Sequence, residues 1–150
     1  MLLVKLQAGI FNDARRITMK LFVENETLYE HAIFRQQTTG QPFDLWIDEF
    51  GKDRKVSHNE PRFKVSANDV ELDIILHSDD TIEIVNNKRD IQKFKYAKEA
   101  TNLIRDYRDA LRAHWNHDID TGDLAMVFKL TKKDRSNILD VLSKIASGNL

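Results

Sequence analysis

The chain reads as an α+β domain, an antiparallel sheet followed by helices. Before Val85 the apolar residues recur at every second position, and after it they recur at every third or fourth. Strands and helices are thus grouped rather than alternating, the pattern of α+β and not of βαβ architecture. The gaps in the first half (Asn25-Glu26, Thr39-Gly40-Gln41-Pro42, Gly51-Lys52-Asp53, Ser78-Asp79-Asp80) are short and turn-rich, which suits hairpins.

Leu2 to Leu6 is expected as the first strand. Ile17, Met19, Leu21 and Val23 then alternate with Arg16, Thr18 and Lys20, with Phe22 as the exception. Leu28 to Phe34 forms another strand. Phe43, Leu45 and Ile47 alternate with Asp44, Trp46 and Asp48, and Val70, Leu72, Ile74 and Leu76 alternate with Glu71, Asp73, Ile75 and His77. Roughly five to seven strands follow, each with one face on a core and one in water. After Val85 a stripe of Ala97, Ala100, Ile104, Tyr107, Leu111 and Trp115 predicts one long amphipathic helix from Asp90 to Asn116. Ile104, Leu111 and Trp115 should be buried against Leu45, Leu72 and Ile74. Asp118 to Gly122 breaks the stripe, and Leu124, Val127 and Phe128 suggest a short helix. Thr131 with Asp134 resembles a capping box before a last helix carrying Ile138, Val141, Leu142 and Ile145. The whole is one domain, β-rich over 1–87 and helical over 88–150, with Lys88-Arg89 as its seam.

Composition narrows the function. Apolar residues make up 41% and charged residues 31%, a globular balance. Lys and Arg total 23 against 24 Asp and Glu, so no whole-molecule field drives the chain onto nucleic acid or an anionic membrane. Cysteine is absent, which removes disulfides, thiolate nucleophiles and Cys-based zinc sites and fits a reducing cytosol. The opening Met1 to Lys5 is too short for the apolar region of a signal peptide. Apolar runs such as Leu124 to Phe128 fall far below the ~20 residues of a membrane span. The expectation is a cytoplasmic protein with no membrane partner.

Few patterns carry chemistry. His114 and His117 lie beside Asp118 and Asp120, but no HExxH or HxxEH frame surrounds them. Asp69, Glu71, Asp73, Asp79, Asp80 and Glu83 form an acidic stretch without the fixed spacing of a calcium loop. Asp44 with Asp53 and Lys55 imitates the acids and lysine of a metal-dependent nuclease, yet the latter two follow Gly51 in a turn. No nucleophile elbow and no glycine-rich phosphate loop occurs. No catalytic residue, cofactor or metal is therefore assigned. The basic residues are more suggestive. Lys88, Arg89, Lys93, Lys95 and Lys98 face only Asp90, a local charge of +4, and Arg105, Arg108 and Arg112 flank the apolar stripe near Tyr96, Tyr107 and Trp115.

His58-Asn59-Glu60-Pro61-Arg62-Phe63-Lys64-Val65 is similar to the strand motif, roughly HNPPHFHV, of an uncharacterised family of small bacterial domains. In that family the motif leads into a hairpin, here Val70 to Val85, and a helix ending near L-x-x-x-W-N, here Leu111 to Asn116. The likeness covers about residues 50–120. Both histidines of its His-Phe-His element are replaced, by Arg62 and Lys64, so no imidazole role carries over. The resemblance implies an accessory protein of a bacterium, phage or mobile element, acting on another protein. The functional expectation is thus a non-enzymatic interaction or regulatory protein, either an accessory subunit or an inhibitor. Trp46, Phe50, His58 and Arg62 are its candidate protein-binding residues. The other class is a nucleic-acid-binding protein, possibly a metal-dependent nuclease or toxin, reading phosphates through Arg105, Arg108 and Arg112.

Overall fold

The computed structural model describes residues 14–20, 28–49, 60–134 and 137–149. Six strands form one antiparallel sheet in plain chain order: β1 (Ala14–Lys20), β2 (Leu28–Phe34), β3 (Asp44–Asp48), β4 (Arg62–Ala67), β5 (Val70–Leu76) and β6 (Ile82–Ile84). A single helical turn, α1 (Gln36–Thr39), joins β2 to β3. The remaining helices come after the sheet: α2 (Lys88–Lys93), α3 (Ala97–Asp106), α4 (Arg108–Trp115), α5 (Thr121–Asp134) and α6 (Ile138–Ala146). This is the α+β order that the change of period predicts. The strand expected at Leu2 to Leu6, and the Leu21 to Val23 end of the next, lie outside the described residues.

The register explains why the alternation works. Leu45 stands opposite Phe34 and Val65, Ile47 opposite Ala32 and Phe63, and Ile74 opposite Phe63 and Ile84. All therefore share one face, because side chains of a strand alternate. The helices pack on that face, and Ala100, Leu103, Ile104, Leu111, Leu124, Phe128 and Val141 join the strand residues in one core. Ile104 and Leu111 meet Leu45, Leu72 and Ile74 in that cluster as expected. Trp115 is also buried, at the end of α4. Edge-to-face packing of Phe34 on Phe128, with centroids 5.2 Å apart, ties β2 to α5.

Two turns show how the local sequence closes the sheet. Asn68 and Asp69 both take positive φ, 52° and 64°, between the paired Ala67 and Val70. That is the two-residue primed hairpin, and Asn and Asp tolerate its left-handed backbone. Gly40, with φ 74°, caps α1, and a Cβ there would meet the Lys132 side chain at 3.1 Å. The Thr39 to Pro42 gap is thus a capped helical turn rather than a simple hairpin.

The helical half departs from the predicted single helix. Phe94 leaves the helical region at ψ 103° and ends α2, turning its ring into the core. Between α3 and α4 the break is only Tyr107, whose N–H still reaches the Leu103 carbonyl while its own carbonyl accepts from Leu111. The stripe from Ala97 to Trp115 is therefore almost continuous, with a kink where Arg108 donates to the Arg105 carbonyl. The expected capping box at Thr131 is not one. Thr131 lies buried inside α5, which continues to Asp134, and Asn137 caps α6 by accepting from the Leu139 N–H. Thr131 donates to the Val127 carbonyl, so its oxygen receives the Tyr107 hydroxyl at 2.6 Å. A hydroxyl that looked like a cap is instead the polar tie between the kink and α5.

Candidate functional site

Four groups of residues could carry function. The first lies on the second face of the sheet, which alternation turns away from the helices. There Trp46 stands opposite Ile33 on β2 and Lys64 on β4. Its ring is half-buried, and its indole N–H donates to the Ser66 hydroxyl at 3.0 Å. Ile33 is buried, whereas Arg62, Glu71 and Asp73 across β4 and β5 are exposed. Lys64 pairs with Glu71 at 3.4 Å, and Asp44 accepts from Arg35 at 2.8 Å. The result is one oriented aromatic beside a mixed-charge surface. Of the other candidates for protein binding, Arg62 shares this face, and Phe50 and His58 lie outside the described residues.

The second group is a cleft of about 220 Å³ where α4 turns into α5, lined by Glu49, His114, His117, Asp120 and Thr121 among others. Its geometry follows from two helix ends. His117 takes the left-handed position after α4 (φ 63°), its N–H bonded to the His114 carbonyl and that of Asp118 to the Ala113 carbonyl. These are the two bonds of a Schellman ending. Asp120 and Asp123 then cap α5 reciprocally, each carboxylate accepting the other's backbone N–H. His114 is only 6% exposed. Its Nε2 lies 3.1 Å from the Thr121 hydroxyl, which donates to Glu49 Oε1 at 2.9 Å. A threonine hydroxyl has one proton, so His114 donates through Nε2. Burial, reinforced by His117 and opposed by Asp120 and Asp48, pushes the His114 imidazole down to about 4. As arranged, Thr121 gives its proton to Glu49 rather than to the histidine, so the trio works as a tie between β3, α4 and α5. No three His, Asp or Glu side chains among the described residues converge as metal ligands.

The third group absorbs the arginine strip. The β5–β6 turn places Asp80 at φ 71°, next to α4. Arg112 donates to the Asp80 carboxylate and to the His77 carbonyl, and Arg108 approaches the same carboxylate at 3.6 Å. Arg105 is exposed and donates to Asn102 at 2.9 Å. Just behind the turn, His77 lies between two carboxylates, 2.9 Å from Glu60 on Nδ1 and 2.9 Å from Glu83 on Nε2. Both ring nitrogens can donate only in the imidazolium, and the bonds to Glu83 and Glu60 raise the His77 pKa. The Thr81 hydroxyl and N–H lower that of the neighbouring Asp79.

The fourth group is the lysine-rich segment. Lys88, Arg89, Lys93, Lys95 and Lys98 are all exposed, while Phe94 between them is buried. Lys95 sits 5.7 Å from the centre of the Tyr96 ring, and that ring packs edge-on against Phe94. Sequence reasoning singled out both basic stretches but could not tell which one the fold neutralises. The signal was the acidic turn at Asp79-Asp80, whose contact with α4 is long-range and has no local trace in the sequence. No helix among the described residues is long and apolar enough to cross a membrane. Compared with family models, curated proteins and solved structures, the chain matches none of them.

Proposed function

We propose that this is an interaction protein that acts by binding another protein, as a regulator, accessory subunit or inhibitor, without catalysis of its own. Trp46 is the observation that carries the reading. A large ring stands partly exposed on the sheet face away from the helices, its orientation held by Ser66. Around it lie Arg62, Lys64 and Glu71, so an aromatic anchor is surrounded by a polar, charged rim. Binding energy concentrates in such anchors, and a pre-set rotamer lowers the entropy cost of docking. The likeness of His58 to Val65 to a family of small bacterial domains points the same way. It supports an accessory role in a bacterium or one of its mobile elements, in the cytoplasm. Against the nucleic-acid class weighs the state of the arginine strip, since Arg108 and Arg112 already serve Asp80 and the His77 carbonyl.

The test begins with affinity capture from the native host, scored for protein and nucleic acid together, and proceeds to binding of the purified partner. Trp46→Ser should weaken that binding at least about thirtyfold while the Arg105→Gln, Arg108→Gln, Arg112→Gln variant keeps it. Salt-sensitive nucleic-acid binding lost only in the arginine variant would overturn the proposal.

A further inference from the structure

The two basic stretches differ in one respect that bears on what the partner is. Arg108 and Arg112 are matched by Asp80, whereas none of Lys88, Arg89, Lys93, Lys95 and Lys98 is paired with a carboxylate among the described residues. All five are exposed, within eleven residues, and the one acid inside the segment is Asp90. Local structure gathers the three on α2. On α2, Lys88, Arg89, Gln92 and Lys93 fall on the solvent side, because Ile91 and Phe94 turn toward the core. Arg89 and Lys93 are then neighbours about one helical turn apart, ~6 Å along the axis. Like charges four apart on a helix repel one another. Neither cation is paired with a carboxylate among the described residues.

We infer that the segment from Lys88 to Lys98 is a docking site for an acidic segment of a partner protein. The inference rests on the interaction reading above and gives the partner its chemistry. Charge complementarity names the occupant class: five closely set cations fit a short run of Glu and Asp. A nucleic acid fits less well, for two reasons on the same surface. A single strand needs aromatic platforms for its bases, and here Phe94 is buried and the Tyr96 ring packs against it and the core. A long phosphate track is not offered either, since the five cations lie within eleven residues, a length that suits a segment of a few residues.

The test uses the full chain and a fluorescein-labelled peptide of about ten glutamates, with a labelled dT oligonucleotide of about the same length beside it. The peptide should bind in low salt, more tightly than the oligonucleotide. Its affinity should fall roughly tenfold between about 50 and 200 mM salt, as surface charges are screened. Changing all five cations to glutamine should remove the binding. Changing Arg105, Arg108 and Arg112 to glutamine should leave it within about twofold, because two of these charges are already matched. Circular dichroism confirms that each variant is folded. Peptide binding that survives in the five-glutamine variant overturns the inference. So does tighter binding of the oligonucleotide that the same variant abolishes. The interaction reading fails by a different result, namely an identified partner whose affinity is unchanged by Trp46→Ser, and that result leaves the peptide titration untouched.

Discussion

Strands β2 to β5 present two faces built from alternate residues of the same segments, and the two are organised by different forces. On the helix-covered face Phe34, Leu45, Val65, Leu72 and Ile74 are fully buried in a common cluster. On the other, Ile33 and Ile75 are buried, but Trp46 and Lys64 are half-buried and Arg62, Glu71 and Asp73 are exposed. Removal of apolar area from water holds the first, at roughly 1.5–3 kcal/mol per large side chain. The second is held by a few directed contacts, Trp46 to Ser66, Arg35 to Asp44 and Lys64 to Glu71, of which the exposed pair contributes little. The exposed positions of that face contribute little to stability, which leaves them open to recognition.

The largest effect that could break this contrast is a cavity on the covered side. Phe128→Ala removes a ring packed against both Phe34 and Tyr107 and should cost about 3–5 kcal/mol in denaturant unfolding. Lys64→Ala on the other face should change stability by no more than about 0.5 kcal/mol. Comparable losses from the two substitutions would erase the distinction.

Next in size comes the contrast between two histidines. His114 is buried and its folded pKa lies near 4, below the ordinary 6.5 of the unfolded chain. The unfolded state then binds the proton more readily, so stability is complete above pH ~6.5 and falls as pH drops toward 4, by about 3 kcal/mol in all. His77 has the opposite sign. Its pKa is raised by Glu83 and Glu60, so its contribution is complete below pH ~6.5 and is lost as pH rises through the folded value. A His114→Gln variant should flatten the acid limb of a stability–pH curve, and His77→Gln only the alkaline one. If His114→Gln left the acid limb unchanged, the burial argument would be wrong.

A smaller loss is expected at Thr121. Thr121→Val keeps the shape but leaves the His114 Nε2–H and Glu49 Oε1 without the hydroxyl that joins them. The cost should be roughly 1–3 kcal/mol, read as a lower midpoint with an unchanged denaturant slope.

Much of this was legible in the chain because alternation and helical spacing are local signals. Leu45, Leu72, Ile74, Ile104 and Leu111 could be placed together from period alone. What period cannot register is where a helix kinks or which distant groups pair. The stripe runs smoothly through Tyr107, yet the backbone breaks there, beside a hydroxyl bonded to Thr131 on α5. Thr131 carried the spelling of a cap and fills a buried position inside α5, because its hydroxyl bonds back to the Val127 carbonyl while the helix continues to Asp134. For the candidate site, Trp46 was assigned to the wet face correctly by alternation, and Arg62, singled out through the strand motif, shares that face. The acidic stretch before the helices was open to neutralising the basic residues, but its specific pairing with Arg108 and Arg112 was not readable, since Asp80 reaches them across 28 and 32 positions of sequence.

The claim that recognition resides on the second face is tested most directly by titrating the identified partner against wild type and Trp46→Ser. The account predicts that the serine variant still unfolds cooperatively but binds at least about thirtyfold more weakly, the loss of a central anchor worth ~2 kcal/mol. Equal affinity for the two proteins would contradict it.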